Sequence, residues 1–206
     1  MRIAGDIVRN VKSTVPTIAP LLRSDLQGNL LAALMLRPGE SSLSALAERI
    51  EASPSSVQRE IERLVASGFV LERRSGRNRY VRANEAHPLA APVRIIVEYA
   101  YGPRVVLSRV LSGIPLIEEA YIHGSWAARM AGEEGADPAD VDVLVIGGPD
   151  RADLLDAATA AQSELGREVD IRSVSRRRWD EASDPFLQTL KTRPLVRLDV
   201  GNGVAE

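Results

Sequence analysis

The chain has 206 residues, with 26 Lys and Arg against 28 Asp and Glu for a formal net charge of −2, a hydrophobic share of 45% and no cysteine. These figures exclude a disulfide framework, a zinc ribbon and a thiol nucleophile, and leave any nucleic-acid contact to local rather than global charge. The length suffices for two small domains, and the composition is that of an ordinary globular protein, expected in the cytoplasm. Residues 1–23 read as a leader. Asp6, Arg9, Asn10 and Lys12 break up the apolar run a signal peptide needs, and no window is long enough to span a membrane. Ile3, Ile7, Val8 and Val11 are spaced as on a helix, so a disordered terminus and a short helix packing on a partner subunit are equal expectations.

Residues 24–84 read as one module. Ser24 with Gln27 has the form of a capping box ahead of Leu30, Leu31, Leu34 and Met35, which predicts a buried helix stopped at Pro38-Gly39. Ser42 or Ser44 can cap a second helix, with Leu43, Leu46, Ala47 and Ile50 inward. Ser53 caps a third, and Pro54 occupies the first turn, where a missing N–H costs least. Val57, Ile61, Leu64 and Val65 form its apolar stripe, leaving Ser55, Ser56, Gln58, Arg59, Glu62 and Arg63 outward. After Gly68, residues 69–74 and 77–82 are strand-like, with Ser75-Gly76 as the hairpin turn. Helix, helix-turn-helix and hairpin in this order resemble the ArsR-like class of winged helix-turn-helix regulators. That resemblance implies a double-stranded DNA partner and a homodimer. The third helix would offer Ser55, Ser56, Gln58, Arg59 and Arg63 to a major groove, and the wing would offer Arg73, Arg74, Arg77, Arg79 and Arg82 to phosphates.

Residues 85–113 read as a helical connector. Leu89, Val93, Ile96, Val97 and Tyr101 fit one helix, and Val105, Val106, Leu107, Val110 and Leu111 fit another beyond a break at Gly102-Pro103. A stiff coupler between modules and a first layer over a following sheet are equally consistent with this pattern.

Residues 114–206 carry the chemical signal. Leu116 to Ile122 reads as a strand, Gly124-Ser125 as a turn, Trp126 to Ala131 as a short helix, and Val141 to Ile146 as a second strand. Strand alternation puts Asp140 and Asp142 on one face and Val141, Val143 and Val145 on the other, towards a core. Paired carboxylates suit a hard divalent cation such as Mg²⁺, and Gly124 allows close backbone approach by a phosphate. A helix from Asp150 or Asp153 to Gly166, with Leu154, Leu155, Ala158 and Ala161 inward, then leads to a strand over 168–172 bearing Asp170, which reads equally as a site carboxylate or as a surface residue paired with Arg172. Trp179, Phe186, Leu187 and Leu190 are expected on packed helices, 195–200 on an edge strand, and the tail from Gly201 is expected to fray.

Gly124-Ser125, a helix, Asp140-Val141-Asp142 on a strand and Asp170 on a later strand resemble the minimal nucleotidyltransferase family of the polymerase-beta-like superfamily. The resemblance implies a mixed sheet with flanking helices and a Gly-Ser turn, Gly124 and Ser125, that binds the triphosphate of an NTP. It also implies a catalytic triad, Asp140, Asp142 and Asp170, that binds two metal ions, with Arg129 where relatives carry a basic residue. The segment from Gly132 to Ala139 departs from the family by its length. His87 and His123 read as turn or packing residues, and Ser125 has no partners that would make it a nucleophile. The expected fold class is thus α+β with two domains, a winged helix-turn-helix and a nucleotidyltransferase-like sheet. The expected function is a DNA-binding regulator that binds Mg-NTP and transfers a nucleotidyl group to an unknown acceptor. Against it stands a non-catalytic nucleotide sensor, or an antitoxin-like regulator with a toxin-like protein partner.

Overall fold

The computed structural model describes residues 22–37, 39–182 and 184–201. The expected leader, apart from residues 22 and 23, and the tail beyond residue 201 lie outside them. Local signals set the first helices. The Ser24 hydroxyl accepts from the Gln27 N–H at 3.2 Å and opens α1 (Asp25–Met35). The Gln27 side chain turns back as a capping box requires, but accepts from Arg23 N at 3.0 Å, one residue ahead of the cap. A short strand, β1 (Ser41–Ser42), leads into α2 (Leu43–Arg49), capped by Ser42. Ser53 caps α3 (Pro54–Ala66).

Two strands follow, β2 (Val70–Ser75) and β3 (Asn78–Ala83), with Ser75 opposite Asn78. The hairpin turn is therefore Gly76-Arg77, one residue later than expected, and Arg77 stands at its tip. Strand β1 completes an antiparallel sheet of order β1-β3-β2. Two residues carry too little pattern to be read as a strand, and β1 exists because β3 offers it a pairing edge. Leu30, Leu34, Leu46, Val57, Ile61 and Val81 fill the core of this half. Glu60, on the inner side of α3, is also buried, and its Oε2 accepts from Arg63 at 3.2 Å and from Arg23.

The connector divides between two cores. Helix α4 (Ala90–Tyr101) packs Ala90 and Val97 into the N-terminal core, and α5 (Pro103–Leu111) packs Val106, Leu107 and Leu111 into a second one. Pro103 cannot donate to a continuing helix, and an added Cβ at Gly102 would meet the Glu98 carbonyl. The break at this pair turns one helix into two.

The second core lies under a mixed sheet. Strand β4 (Ile117–His123), helix α6 (Gly124–Met130), strand β5 (Asp140–Gly147), helix α7 (Arg151–Leu165) and strand β6 (Glu168–Val174) follow in order. Then come α8 (Arg176–Glu181), α9 (Pro185–Thr192) and the edge strand β7 (Val196–Arg197). The sheet order is β6-β5-β4-β7, with β5 parallel to β6 and antiparallel to β4. Val141, Val143 and Val145 face α5 and α7 as alternation requires. The opposite face is apolar too at its far end, where Leu144 and Ile146 lie beneath Leu187 and Leu190 of α9.

Two expectations fail locally. On α7 the inward stripe is Leu154, Ala157, Ala161 and Leu165, which leaves Leu155 66% exposed, because a 3.6-residue period cannot put 154 and 155 on one narrow face. Phe186 is 42% exposed and does not join the core that Leu187 and Leu190 build. The molecule is mixed α and β with two sheets, each over its own core.

Candidate functional site

Asp142 occupies the middle of the candidate site because of its strand neighbours. It pairs in register with His123 on antiparallel β4 and with Asp170 on parallel β6, while Asp140 pairs with Glu168. Directly opposed residues share a face, so His123, Asp140, Asp142, Glu168, Asp170 and Arg172 all project on the side partly roofed by α9. The roof stops short of the acidic end, where Phe186 meets the His123 ring edge-on at a centroid distance of 6.0 Å.

Gly124 adjoins this patch directly. Its φ of +71° is a left-handed conformation that other residues resist, and a Cβ placed there would lie 2.5 Å from Asp142 Oδ2. Backbone and carboxylate therefore approach as closely as only glycine allows. Ser125 follows, exposed, at the start of a helix of only seven residues. Arg129, from the other end of α6, lies against Gly135, with Nε and Nη1 buried and without a hydrogen-bond partner among the described residues. No described acid pairs with it, Glu133 included.

The electrostatics follow from crowding like charges at the edge of a core. Burial pushes the Asp142 carboxyl above its ordinary range, His123 opposes that, and Asp140 and Asp170 add to it. Burial likewise pushes His123 below its ordinary value, so the imidazole is neutral at pH 7, with Asp142 pulling the other way. Asp170 has a partner of its own, since Arg172 donates to its Oδ2 from Nε at 2.9 Å and its Nη2 lies 2.8 Å from the same oxygen in an ion pair. Asp142 and Asp170 are thus adjacent, Asp140 is exposed at the rim, and the expected three-carboxylate cluster is not assembled. Among the described residues no group of three or more His, Asp or Glu could hold a metal ion as the side chains stand. As oxygen donors beside a glycine gap, Asp142 and Asp140 have the chemistry Mg²⁺ prefers.

Sequence reading missed Glu168 and Phe186 as neighbours of this patch, whereas the pairing of Asp170 with Arg172 was one of its two readings of that residue. Glu168-Val169-Asp170 repeats the alternation of Asp140-Val141-Asp142, and that was the available signal for Glu168. The Phe186 contact required the path of α9, which no local pattern encodes.

The second surface is α3 with its hairpin. Ser55, Gln58, Arg59 and Arg63 are exposed, whereas Ser56 is half-buried and hydrogen-bonded to the Ser53 hydroxyl at 2.9 Å. Gln58 donates to Glu62 at 3.0 Å, and Arg63 pairs with Glu60. On the hairpin, Arg73 is held by Glu40 and lies 5.0 Å over the Tyr80 ring. Arg79 is fixed by Glu72 at 2.6 Å, with Glu62 at 3.8 Å, and Arg74 reaches Glu72 at 3.4 Å. The expected block of free arginines is therefore partly neutralised by glutamates from α3, β2 and the loop before β1. Arg59, Arg77 and Arg82 pair with no acid among the described residues.

No family model matches the chain, and no curated protein matches it. The chain is similar to the crystal structure of the transcriptional regulator BldR from Sulfolobus solfataricus, at 22% identity over 48% of this chain and 68% of that chain. The TM-score is 0.35, too low for the likeness to decide fold or function. Among the described residues no helix is long and apolar enough to cross a membrane.

Proposed function

We propose that the chain is a DNA-binding transcriptional regulator of winged helix-turn-helix architecture whose second module binds a magnesium nucleotide. The DNA reading is carried by the pairing of an exposed α3 with a hairpin whose tip and second strand hold Arg77 and Arg82 without acidic partners among the described residues. A helix N-terminus bearing Ser55, Gln58 and Arg59 fits a major groove, and the hairpin beside it fits the flanking phosphates. The test is fluorescence anisotropy against duplexes selected from a randomised pool. Binding that weakens as salt rises is expected. No binding to any duplex at 50 mM salt, on the order of the low-salt conditions that favour phosphate contacts, defeats the reading.

The nucleotide reading is carried by Gly124 standing against Asp142 with Asp170 on the adjoining strand. A phosphate could approach the backbone at residue 124, Asp140 and Asp142 would hold Mg²⁺, and the exposed edge of Phe186 offers a face for the base. When bound, the metal would neutralise phosphate charge and polarise the phosphorus. Nucleotidyl transfer further requires Asp170 to leave Arg172 and join the metal, whereas nucleotide sensing does not. Incubation with labelled ATP, CTP, GTP and UTP separates the two: Mg²⁺-dependent release of pyrophosphate supports transfer, and metal-dependent binding without turnover supports sensing. Absence of any binding removes both. A toxin-like protein partner is the further alternative for this face, and co-purification with a fixed stoichiometry would favour it over a nucleotide.

We also propose a homodimer. Leu89, Ile95, Ile96 and Tyr99 are exposed by 54%, 68%, 43% and 60%; the last three lie on α4 and Leu89 is its N-cap residue. A stripe of that kind on an isolated chain costs solubility, and a second copy would cover it with the same stripe.

A further inference from the structure

Two arginines cross between the halves of the molecule. Arg37, just beyond α1, donates through Nη2 to the carbonyl of Ser163 at 2.7 Å and to that of Glu164, in the last turn of α7. Arg167, just beyond α7, donates through Nη2 to the carbonyl of Leu36 at 2.8 Å, at the end of α1. Each helix thus has its unsatisfied C-terminal carbonyls capped by a cation from the other. The exchange sits beside a cleft of about 1530 Å³ lined by α1 and α4 on one side and by α5 and α7 on the other. Gly166, in the left-handed conformation at φ +67°, makes room for Arg37, whose Cζ would lie 2.7 Å from an added Cβ.

Arg167 has a second attachment. Its Nη1 donates at 2.9 Å to the carbonyl of Pro138, two residues before Asp140, and its side chain is only 11% exposed. One guanidinium fork therefore joins the end of α1 to the segment that delivers Asp140 to the sheet. A fork with fixed spacing transmits displacement between its two acceptors, which a single ammonium group does not.

From this we infer that Arg167 is a positioning residue that couples the aspartate site to the DNA-reading module. Movement of residues 132–139 when the site fills would pull on Leu36 and tilt α1, against which α3 is packed. The inference rests on the nucleotide and DNA readings above for its ligands, though the tie itself does not. The linkage is reciprocal: nucleotide changes DNA affinity by the factor by which DNA changes nucleotide affinity.

The test uses the full chain, as wild type, Arg167→Lys and Arg167→Met. Hydrogen exchange without ligand is measured first. Joint loss of protection at the end of α1 and in residues 132–139 is expected in both variants, and loss confined to residues 163–168 overturns the inference. DNA affinity is then measured with and without the tightest-binding of Mg-ATP, Mg-CTP, Mg-GTP and Mg-UTP. The wild type is expected to shift about fivefold or more, the lower end of typical allosteric coupling, and Arg167→Lys to lose the shift while keeping both single-ligand affinities. An equal shift in Arg167→Lys, or none in a wild type that binds both ligands, overturns the inference. If the wild type binds no nucleotide, the site reading fails instead, and hydrogen exchange alone decides the tie.

Discussion

Replacing Gly124 by Ala separates the backbone from the site chemistry, because Gly132 supplies a control for one of the two costs. Both residues have positive φ, +71° and +87°, so Ala at either is expected to cost about 1–2 kcal/mol for the left-handed conformation. They differ in surroundings. A Cβ at residue 132 meets nothing within 4 Å, whereas one at residue 124 lies 2.5 Å from Asp142 Oδ2. That oxygen sits at the end of a side chain whose surroundings act on it through charge and burial, with no hydrogen bond among the described residues holding it in place. It can therefore swing aside at little cost. The two variants should consequently lose similar stability in urea titrations, within about 0.5 kcal/mol of each other, well below the cost of a buried steric clash. Their ligand affinities should diverge, since only Gly124→Ala displaces the carboxylate and blocks backbone approach. Titration calorimetry with Mg-NTP is expected to show at least about a tenfold loss for Gly124→Ala, equivalent to about 1.4 kcal/mol, and little change for Gly132→Ala. Equal nucleotide affinity in the two would refute the site. A stability gap well above 1 kcal/mol, roughly the penalty expected for overpacking, would refute the claim that Asp142 yields freely.

Asp142→Asn should stabilise the fold at neutral pH. Burial first, and then Asp140 and Asp170, raise its folded-state pKa, so wild-type stability falls as pH rises from the ordinary carboxylate range through that raised value. The variant lacks this loss, and denaturation from pH 4 to 8, roughly spanning the usual acidic and neutral ranges, should show an advantage that closes towards acid; a uniform difference contradicts the assignment. Arg77→Ala and Arg82→Ala should each reduce the salt dependence of DNA binding by about one unit, because each frees a phosphate contact. Arg73→Ala should do less, since Glu40 already neutralises it; equal slopes would show that the ion pair opens on binding. Ile95→Glu with Tyr99→Glu should give a monomer by sedimentation equilibrium, and a wild type that is already monomeric at tens of micromolar, roughly the upper range of weak self-association, rejects the dimer.

Much of the architecture is written locally. Ser24, Ser42 and Ser53 each place a side-chain oxygen where it can cap the next helix, and Gly102-Pro103 cannot continue one. Alternation over residues 140 to 145 fixed which side chains enter the core and which carboxylates remain outside. Such signals involve residues a few positions apart, so a linear reading recovers them. Charge partners were not recoverable in this way: the glutamates that restrain Arg73 and Arg79 lie 33 and 7 residues from them in sequence. The pairing of Asp170 with Arg172, only two residues apart on one strand face, was legible as an alternative to the metal role.

The sequence by itself determined most of the helices and longer strands, their caps and the acidic end of β5, since these depend on backbone preference and a period of two or 3.6 residues. Tertiary structure alone decided that β6 lies parallel beside β5, so that Asp170 adjoins Asp142, and that Phe186 leans over His123. It also decided the crossed caps of Arg37 and Arg167, which join residues 126 to 131 apart. Helix ends announce a need for cations, but which cation arrives depends on how two separate cores come to rest against each other.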